Sequence, residues 1–92
     1  MAATVAVRHS VEEFDSWKIA FAAHGTIRKE HGCTGEKILQ EAGEPNEVLV
    51  LTTWPSMKEA HAFAEDPSLP EAMKQAKVVG APRIEFYDGA AF

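Results

Sequence analysis

Three side chains could carry acid–base chemistry: His9, His24 and Arg28. An imidazole titrates near neutral pH, so either histidine could act as a general acid or base. A guanidinium could hold a developing enolate or a carboxylate through charged hydrogen bonds. We take these three as the candidate catalytic residues, with His24 as the main proton-transfer group and His9 as a second one.

An aromatic stripe precedes His24 and Arg28 along the chain. At about 100° per residue on a helical wheel, these two fall in the same sector as three large aromatic side chains. Apolar walls with a few converging polar groups are what a small-ligand pocket requires. Trp54, which ends a strand-like run, could complete the wall. The predicted substrate-binding residues are therefore Phe14, Trp17, Phe21 and Trp54.

Each of these residues also has a structural explanation, and the sequence leaves both open. His24 could bond a backbone carbonyl, and Arg28 could extend to a surface carboxylate. His9 could be an ordinary residue at the rim of a sheet. Trp54 could simply pack over the helix that follows it.

The spacing of the remaining candidates predicts no metal and no organic cofactor. The four histidines lack a recognised ligand spacing, and His24 and His31 are seven residues apart. The single cysteine, Cys33, follows a predicted helix C-terminus, which disfavours a thiolate. His31 and His61 are better explained as structural residues, and no glycine-rich phosphate loop is present.

Composition limits the class of protein. The 92 residues fit one domain, residues 1–92, and the net charge is −5 with scattered basic residues. Nucleic acid is therefore not an expected partner. The sequence has neither an apolar run long enough for a membrane span nor a secretory signal pattern. We expect a cytoplasmic protein.

The order of the predicted elements is βαββαβ. Strands are expected at residues 4–9, 34–41, 47–54 and 83–87, and a helix at 14–31 that could break at Gly25. Capping-box patterns at 10–13, 56–59 and 68–71 predict the helix starts and divide the second helix into two pieces. This order predicts a ferredoxin-like α+β fold: an antiparallel sheet with helices on one face and the first and third strands central.

The third strand favours a homodimer. Val48 and Val50 point to one face and Leu49 and Leu51 to the other, so both faces need cover. Helices can cover only one of them, and a second copy packed through the sheet faces could cover the other. The alternative is that the C-terminal tail, with Phe92, covers the leucines.

The chain resembles the antibiotic biosynthesis monooxygenase-like proteins of the dimeric α/β-barrel superfamily, and a group of small bacterial "cyclase"-like proteins within it. The resemblance extends over about residues 5–86. It is carried by Trp17, Phe21, His24 and Arg28 before Gly32, and by Trp54-Pro55-Ser56, Lys58-Glu59-Ala60, Phe63 and Asp66-Pro67.

The resemblance implies a ferredoxin-like protomer, a dimer formed through the sheets, and a pocket between sheet and helices. Activities in the superfamily include cofactor-free oxygenation of aromatic polyketides, cyclisation, dehydration and haem degradation. The monooxygenases often carry a histidine about nine residues after the strand-ending tryptophan. Here that position is Phe63, and His61 lies two residues earlier, so the role of that histidine is not carried over.

The expected function is that of a small cofactor-independent enzyme acting on an aromatic or polyketide-like hydrophobic molecule. Cyclisation, isomerisation or another acid–base reaction is the leading prediction. A cofactor-free monooxygenase is the first alternative. A non-catalytic dimer that binds a small ligand, or none, is the second.

Overall fold

The structure, a computed structural model, describes residues 2–90, which form four strands in one sheet and four helices. The strands are β1 (Ala3–Val11), β2 (Gly35–Glu41), β3 (Glu44–Trp54) and β4 (Val78–Asp88), and the helices are α1 (Phe14–Ala23), α2 (Gly25–Glu30), α3 (Met57–Ala64) and α4 (Ser68–Gln75). The strands are antiparallel in the order β2-β3-β1-β4. The predicted fold class is confirmed, with the first and third strands in the centre.

The register of β1 against β3 decides which side chains face the helices. Val7 lies opposite Val50, and His9 lies opposite Val48. Because side chains alternate along a strand, these residues share the inner, helix-covered face. Leu49 and Leu51 point to the opposite face and remain half-exposed.

The predicted first helix is two helices. His24 adopts φ −86° and ψ 3° between α1 and α2, so the break falls one residue before Gly25. The capping box predicted at residues 10–13 is wrong, because Ser10 belongs to β1 and donates to the Glu47 carboxylate at 2.6 Å. The first amide of α1, on Phe14, is instead bonded at 3.0 Å by the side-chain oxygen of Asn46.

The other boundaries differ from prediction by a few residues. The β2–β3 turn is shorter than expected and centres on Gly43, whose φ of +80° suits a residue without a side chain. Pro45 and Asn46 already belong to β3, and β4 begins at Val78 rather than at residue 83. Phe92, the alternative cover for the outer face, lies outside the described residues.

Two apolar clusters hold the helices on the sheet. In the first, Trp54 is fully buried, stacks on Phe63 of α3 with ring centroids 4.8 Å apart, and donates its indole N–H to Thr52 Oγ1 at 2.9 Å. The second cluster surrounds Trp17 of α1. Trp54 therefore packs over the helix that it introduces, which was one of its two predicted roles.

We expect Trp54→Phe to destabilise the fold by about 2–4 kcal/mol, because it leaves a cavity against Phe63 and removes a buried hydrogen bond. Urea unfolding at fixed protein concentration measures this. Tyr87→Phe is the control: Tyr87 is 49% exposed, and the change should cost less than about 0.5 kcal/mol. Equal stability losses would contradict the central place of Trp54 in the core.

Candidate functional site

A cavity lies between the inner face of the sheet and helices α1, α2 and α4. It encloses about 600 Å³ when counted out to its open mouth, and most of its surface is apolar. Its lining residues are Val7, His9, Trp17, Ala20, Phe21, His24, Arg28, Val50, Thr52, Phe63, Leu69, Ala72, Met73, Ala76 and Val78. All three predicted catalytic side chains, from β1, the α1–α2 junction and α2, therefore meet at one cavity.

The pairing of β4 with β1 is irregular beside His9. The pairing of β1 with β4 skips from Arg8–Arg83 to Ser10–Val79, so that His9 has no paired residue in β4. Gly80, with φ +75°, lies in the skipped segment. A bulge of this kind bends a strand away from its neighbour, and bulges are frequent beside active sites.

His9 is buried and its polar atoms are unpaired. The residue is 7% exposed, and neither Nδ1 nor Nε2 has a hydrogen-bond partner. Its ring lies beside Trp17, with centroids 5.5 Å apart. Burial lowers the pKa of His9, and the negative charge of Glu47 only partly opposes this effect. The cavity wall therefore carries a neutral imidazole with an unused lone pair and an unused N–H.

Arg28 brings a permanent positive charge to the same cavity. Its side chain is almost fully buried, and its guanidinium carbon lies 3.7 Å above the ring of Phe21. Its Nε is 2.5 Å from a carboxylate oxygen of Glu36 on β2, in an ion pair whose N–H is not aligned as a hydrogen bond. Arg28 is thus held by charge and by stacking.

His24 is half-buried at the junction of α1 and α2. Its Nε2 lies 3.3 Å from the hydroxyl oxygen of Ser68, the first residue of α4. Burial and the nearby Arg28 lower the pKa of His24, while the Asp66 carboxylate raises it. His24 therefore has one side-chain partner, whereas both ring nitrogens of His9 and the Nε of Arg28 have no hydrogen-bond partner.

Two of the four residues predicted to form the aromatic wall line the cavity. Trp17 and Phe21 line the cavity, with ring centroids 5.1 Å apart. Phe14 stacks on the far side of Trp17, at 5.7 Å, and supports the wall without lining it. Trp54 does not line the cavity either, because Phe63 stands in front of it.

Helix α4 and its C-cap also contribute to the cavity, which the sequence-based predictions do not include. Leu69, Ala72, Met73 and Ala76 form the far wall of the cavity. Their spacing of three and four residues is the signal of an amphipathic helix and could have placed them on one face. Thr52 was also missed; its hydroxyl oxygen accepts the Trp54 indole N–H at the cavity floor.

The other polar candidates have structural surroundings. His31 Nε2 lies 2.7 Å from an Asp66 carboxylate oxygen, and the exposed His61 stacks on Phe86 with ring centroids 4.1 Å apart. Burial raises the pKa of the Cys33 thiol. Within residues 2–90, no group of three or more His, Cys, Asp and Glu side chains is arranged to hold a metal ion.

None of the helices in residues 2–90 combines the length and the apolar character needed to cross a bilayer.

Comparisons with known proteins identify the fold. No protein-family model matches the chain, and no curated protein matches its sequence. Among solved structures, SnoaB, a cofactor-independent oxygenase from Streptomyces nogalater, superposes with a TM-score of 0.80 at 12% identity, covering 99% of this chain and 95% of SnoaB.

Two further structures give the same result. They are proposed antibiotic biosynthesis monooxygenases, one from Nitrosomonas europaea (TM-score 0.76, 20% identity, 96% of this chain and 89% of that one) and one from Caulobacter crescentus (TM-score 0.77, 19% identity, 98% and 91%). The chain therefore has the fold of the antibiotic biosynthesis monooxygenases, and the resemblance seen in its sequence is confirmed at the level of fold.

The buried His9 predicts how stability depends on pH. The pKa of His9 is lowered in the folded protein from 6.5, so only the unfolded chain takes up a proton just below that pH. Stability should be full above about pH 6.5 and should decrease as the pH falls below it. His9→Phe should make the free energy of unfolding less dependent on pH in this range. His24, whose pKa is also lowered, should account for part of the remaining dependence. Urea unfolding between about pH 7.5 and pH 5 measures it, and an unchanged slope would contradict the burial of a neutral His9.

Proposed function

We propose that the protein is a cofactor-independent oxygenase of a small electron-rich aromatic molecule, such as a phenol with an activated ring CH₂. The observation that carries the proposal is His9, a buried neutral imidazole without partners in an apolar cavity. The fold shared with a cofactor-independent oxygenase supports it over the cyclase or isomerase that we first expected from the sequence.

The cavity residues fit the first step, which is removal of a proton. A neutral imidazole whose ring nitrogens have no protein partner can accept a proton through its free lone pair. Arg28 offers a fixed positive charge next to the aromatic wall, where it can stabilise the anion that forms. In low dielectric this attraction is stronger than in water.

The substrate anion can then supply the electrons itself. It transfers an electron to O₂, and the two radicals combine to form a C–O bond in a peroxide. Loss of the remaining proton from that carbon breaks the O–O bond and leaves a ketone and hydroxide. Hydroxide takes up the first proton, now on the imidazole. One CH₂ and one O₂ thus give one C=O and one water, without an external reductant.

The apolar walls suit both reactants. O₂ is apolar, and aromatic rings favour contact with Trp17, Phe21 and Phe63, all of which line the cavity.

Oxygen consumption against a panel of phenols, hydroquinones and ring ketones with acidic CH₂ groups tests the proposal. We expect stoichiometric O₂ uptake and one atom of ¹⁸O from ¹⁸O₂ in the product. Turnover without O₂ uptake would instead indicate the acid–base cyclase or isomerase. Saturable binding without turnover of any compound would indicate a ligand-binding protein. Either result would overturn the oxygenase.

Replacing His9 should separate catalysis from stability. We expect His9→Phe to reduce kcat/KM by about 10²–10⁴-fold, the usual contribution of a general base. The fold should be retained or stabilised, because a buried unpaired polar group costs about 1–3 kcal/mol. His61→Phe, outside the cavity, is the matched control and should keep full activity. Full activity in His9→Phe would refute the role of His9.

We also propose that two protomers pair through the outer faces of their sheets. The support is the apolar character of this face: Leu49 and Leu51 are half-exposed, Leu39 is 39% exposed, and the described helices pack on the other face. An antiparallel sheet with one wet face would carry polar residues at these positions.

Light scattering on a sizing column tests the dimer. We expect about twice the chain mass of 10.1 kDa at micromolar concentration. Leu49→Asp should give a monomer or an unfolded chain, because burying an unpaired charge costs several kcal/mol. Ile19→Asp, at a residue 73% exposed on α1, should leave the mass unchanged. A wild-type mass of one chain would rule out the sheet-to-sheet pairing.

A further inference from the structure

A chain of hydrogen bonds runs from His31 to the cavity. His31 Nε2 lies 2.7 Å from Asp66 Oδ2, and Asp66 Oδ1 accepts the hydroxyl of Ser68 at 2.5 Å. The same Oδ1 accepts the backbone N–H of Ser68 at 2.8 Å. The oxygen of Ser68 lies 3.3 Å from His24 Nε2. These contacts connect the end of α2, the α3–α4 turn and a residue of the cavity wall.

The direction of each hydrogen bond follows from the chemistry of Asp66. Hydrogen bonds from His31 and Ser68 hold the pKa of the Asp66 carboxyl well below its usual range. An ionised carboxylate only accepts, so the hydroxyl hydrogen of Ser68 must point to Asp66. The distance of 2.5 Å is typical of such a charge-assisted bond. The Ser68 oxygen can then only accept from His24, and His24 Nε2 must carry a hydrogen.

We propose that Asp66 and Ser68 are positioning residues that hold His24 in the Nε2–H tautomer, so that Nδ1 is its basic nitrogen. The tautomer follows from the hydrogen bonds alone, whereas its use in turnover rests on the oxygenase function proposed above. His31, bonded to the other carboxylate oxygen, fixes the orientation of Asp66.

This arrangement lets His24 accept a proton without rearranging its surroundings. Protonation at Nδ1 leaves the Nε2–H bond to Ser68 in place, and the Asp66 charge favours the imidazolium. Arg28 on α2 opposes it, and His9 on β1 and His31 are the other titratable groups around the cavity and the chain of bonds. His24 is thus suited to accept the second proton, lost from the carbon of the peroxide, and to pass it to the departing oxygen, while His9 removes and returns the first one.

Nitrogen NMR of ¹⁵N-histidine protein tests the tautomer directly, without a substrate. We expect the wild type to favour Nε2–H at His24 by roughly tenfold or more, the size of effect one buried hydrogen bond gives. Ser68→Ala should give a measurable mixture of tautomers, and Ser68→Thr, which keeps the hydroxyl, should restore the wild-type spectrum. A dominant Nδ1–H form in the wild type would overturn the proposal.

Titration of His24 in Asp66→Asn gives an independent measurement. Loss of the carboxylate should move the His24 midpoint, and the acidic limb of kcat/KM, to lower pH. Asp15→Asn, at an exposed residue of α1, is the control and should move neither. An Asp66→Asn midpoint identical to that of the wild type would also refute the proposal. The NMR measurements require no turnover. They would therefore still test the tautomer of His24 if no oxygenation were found.

Discussion

The antiparallel pairing of β1 with β3 is the constraint on which the rest of the structure depends. It sets Val7 against Val50 and His9 against Val48, on the face that the helices cover. A shift of one residue would turn these side chains to the outer face and bring Arg8 and Leu49 inward. The same register therefore determines the core, the floor of the cavity and the apolar outer surface. In so short a chain the same inward-facing positions of β1 and β3 supply both the core and the cavity floor.

The cavity lies beside two departures from regular geometry, one in β4 and one between α1 and α2. β4 bulges where it passes His9, and the helix after β1 breaks at His24. The bulge removes the residue that would pack against the imidazole, and the break redirects α2 so that Arg28 reaches Glu36 on the edge strand. The Trp54–Phe63 stack fills the inner face at the Trp54 end of β3, and Phe63 also lines the cavity.

The features that could be predicted from the sequence are those that depend on local periodicity. Alternation and helical spacing were enough for the order of the elements, the buried stripe of the first helix and the gathering of His9, His24 and Arg28, and the strand order followed from the fold class. Contacts between distant residues were not predictable in this way: the Ser68 partner of His24 is 44 positions away, and Asn46 caps α1 from 32 positions away. A capping-box pattern at residues 10–13 satisfies local rules, yet the pairing of β1 extends through Ser10 to Val11 and overrides it. Phe63 lines the cavity because it packs between the cavity and Trp54. Alternation along β3 does not predict this order of packing.

Two imidazoles in one cavity have different environments, and this difference favours different roles. His9 is buried without a hydrogen-bond partner, and the effect of burial on its pKa outweighs that of the Glu47 charge. His24 is less buried and is connected through Ser68 to a carboxylate, so a proton there is partly compensated. Pairs of titratable groups whose surroundings separate their proton affinities mark acid and base assignments in active sites. Arg28 is permanently charged and cannot exchange a proton, so its proposed role is to stabilise the substrate anion. The division of roles thus follows from the polar partner that the fold gives each side chain. His9 has none, His24 contacts Ser68, and Arg28 forms an ion pair with Glu36.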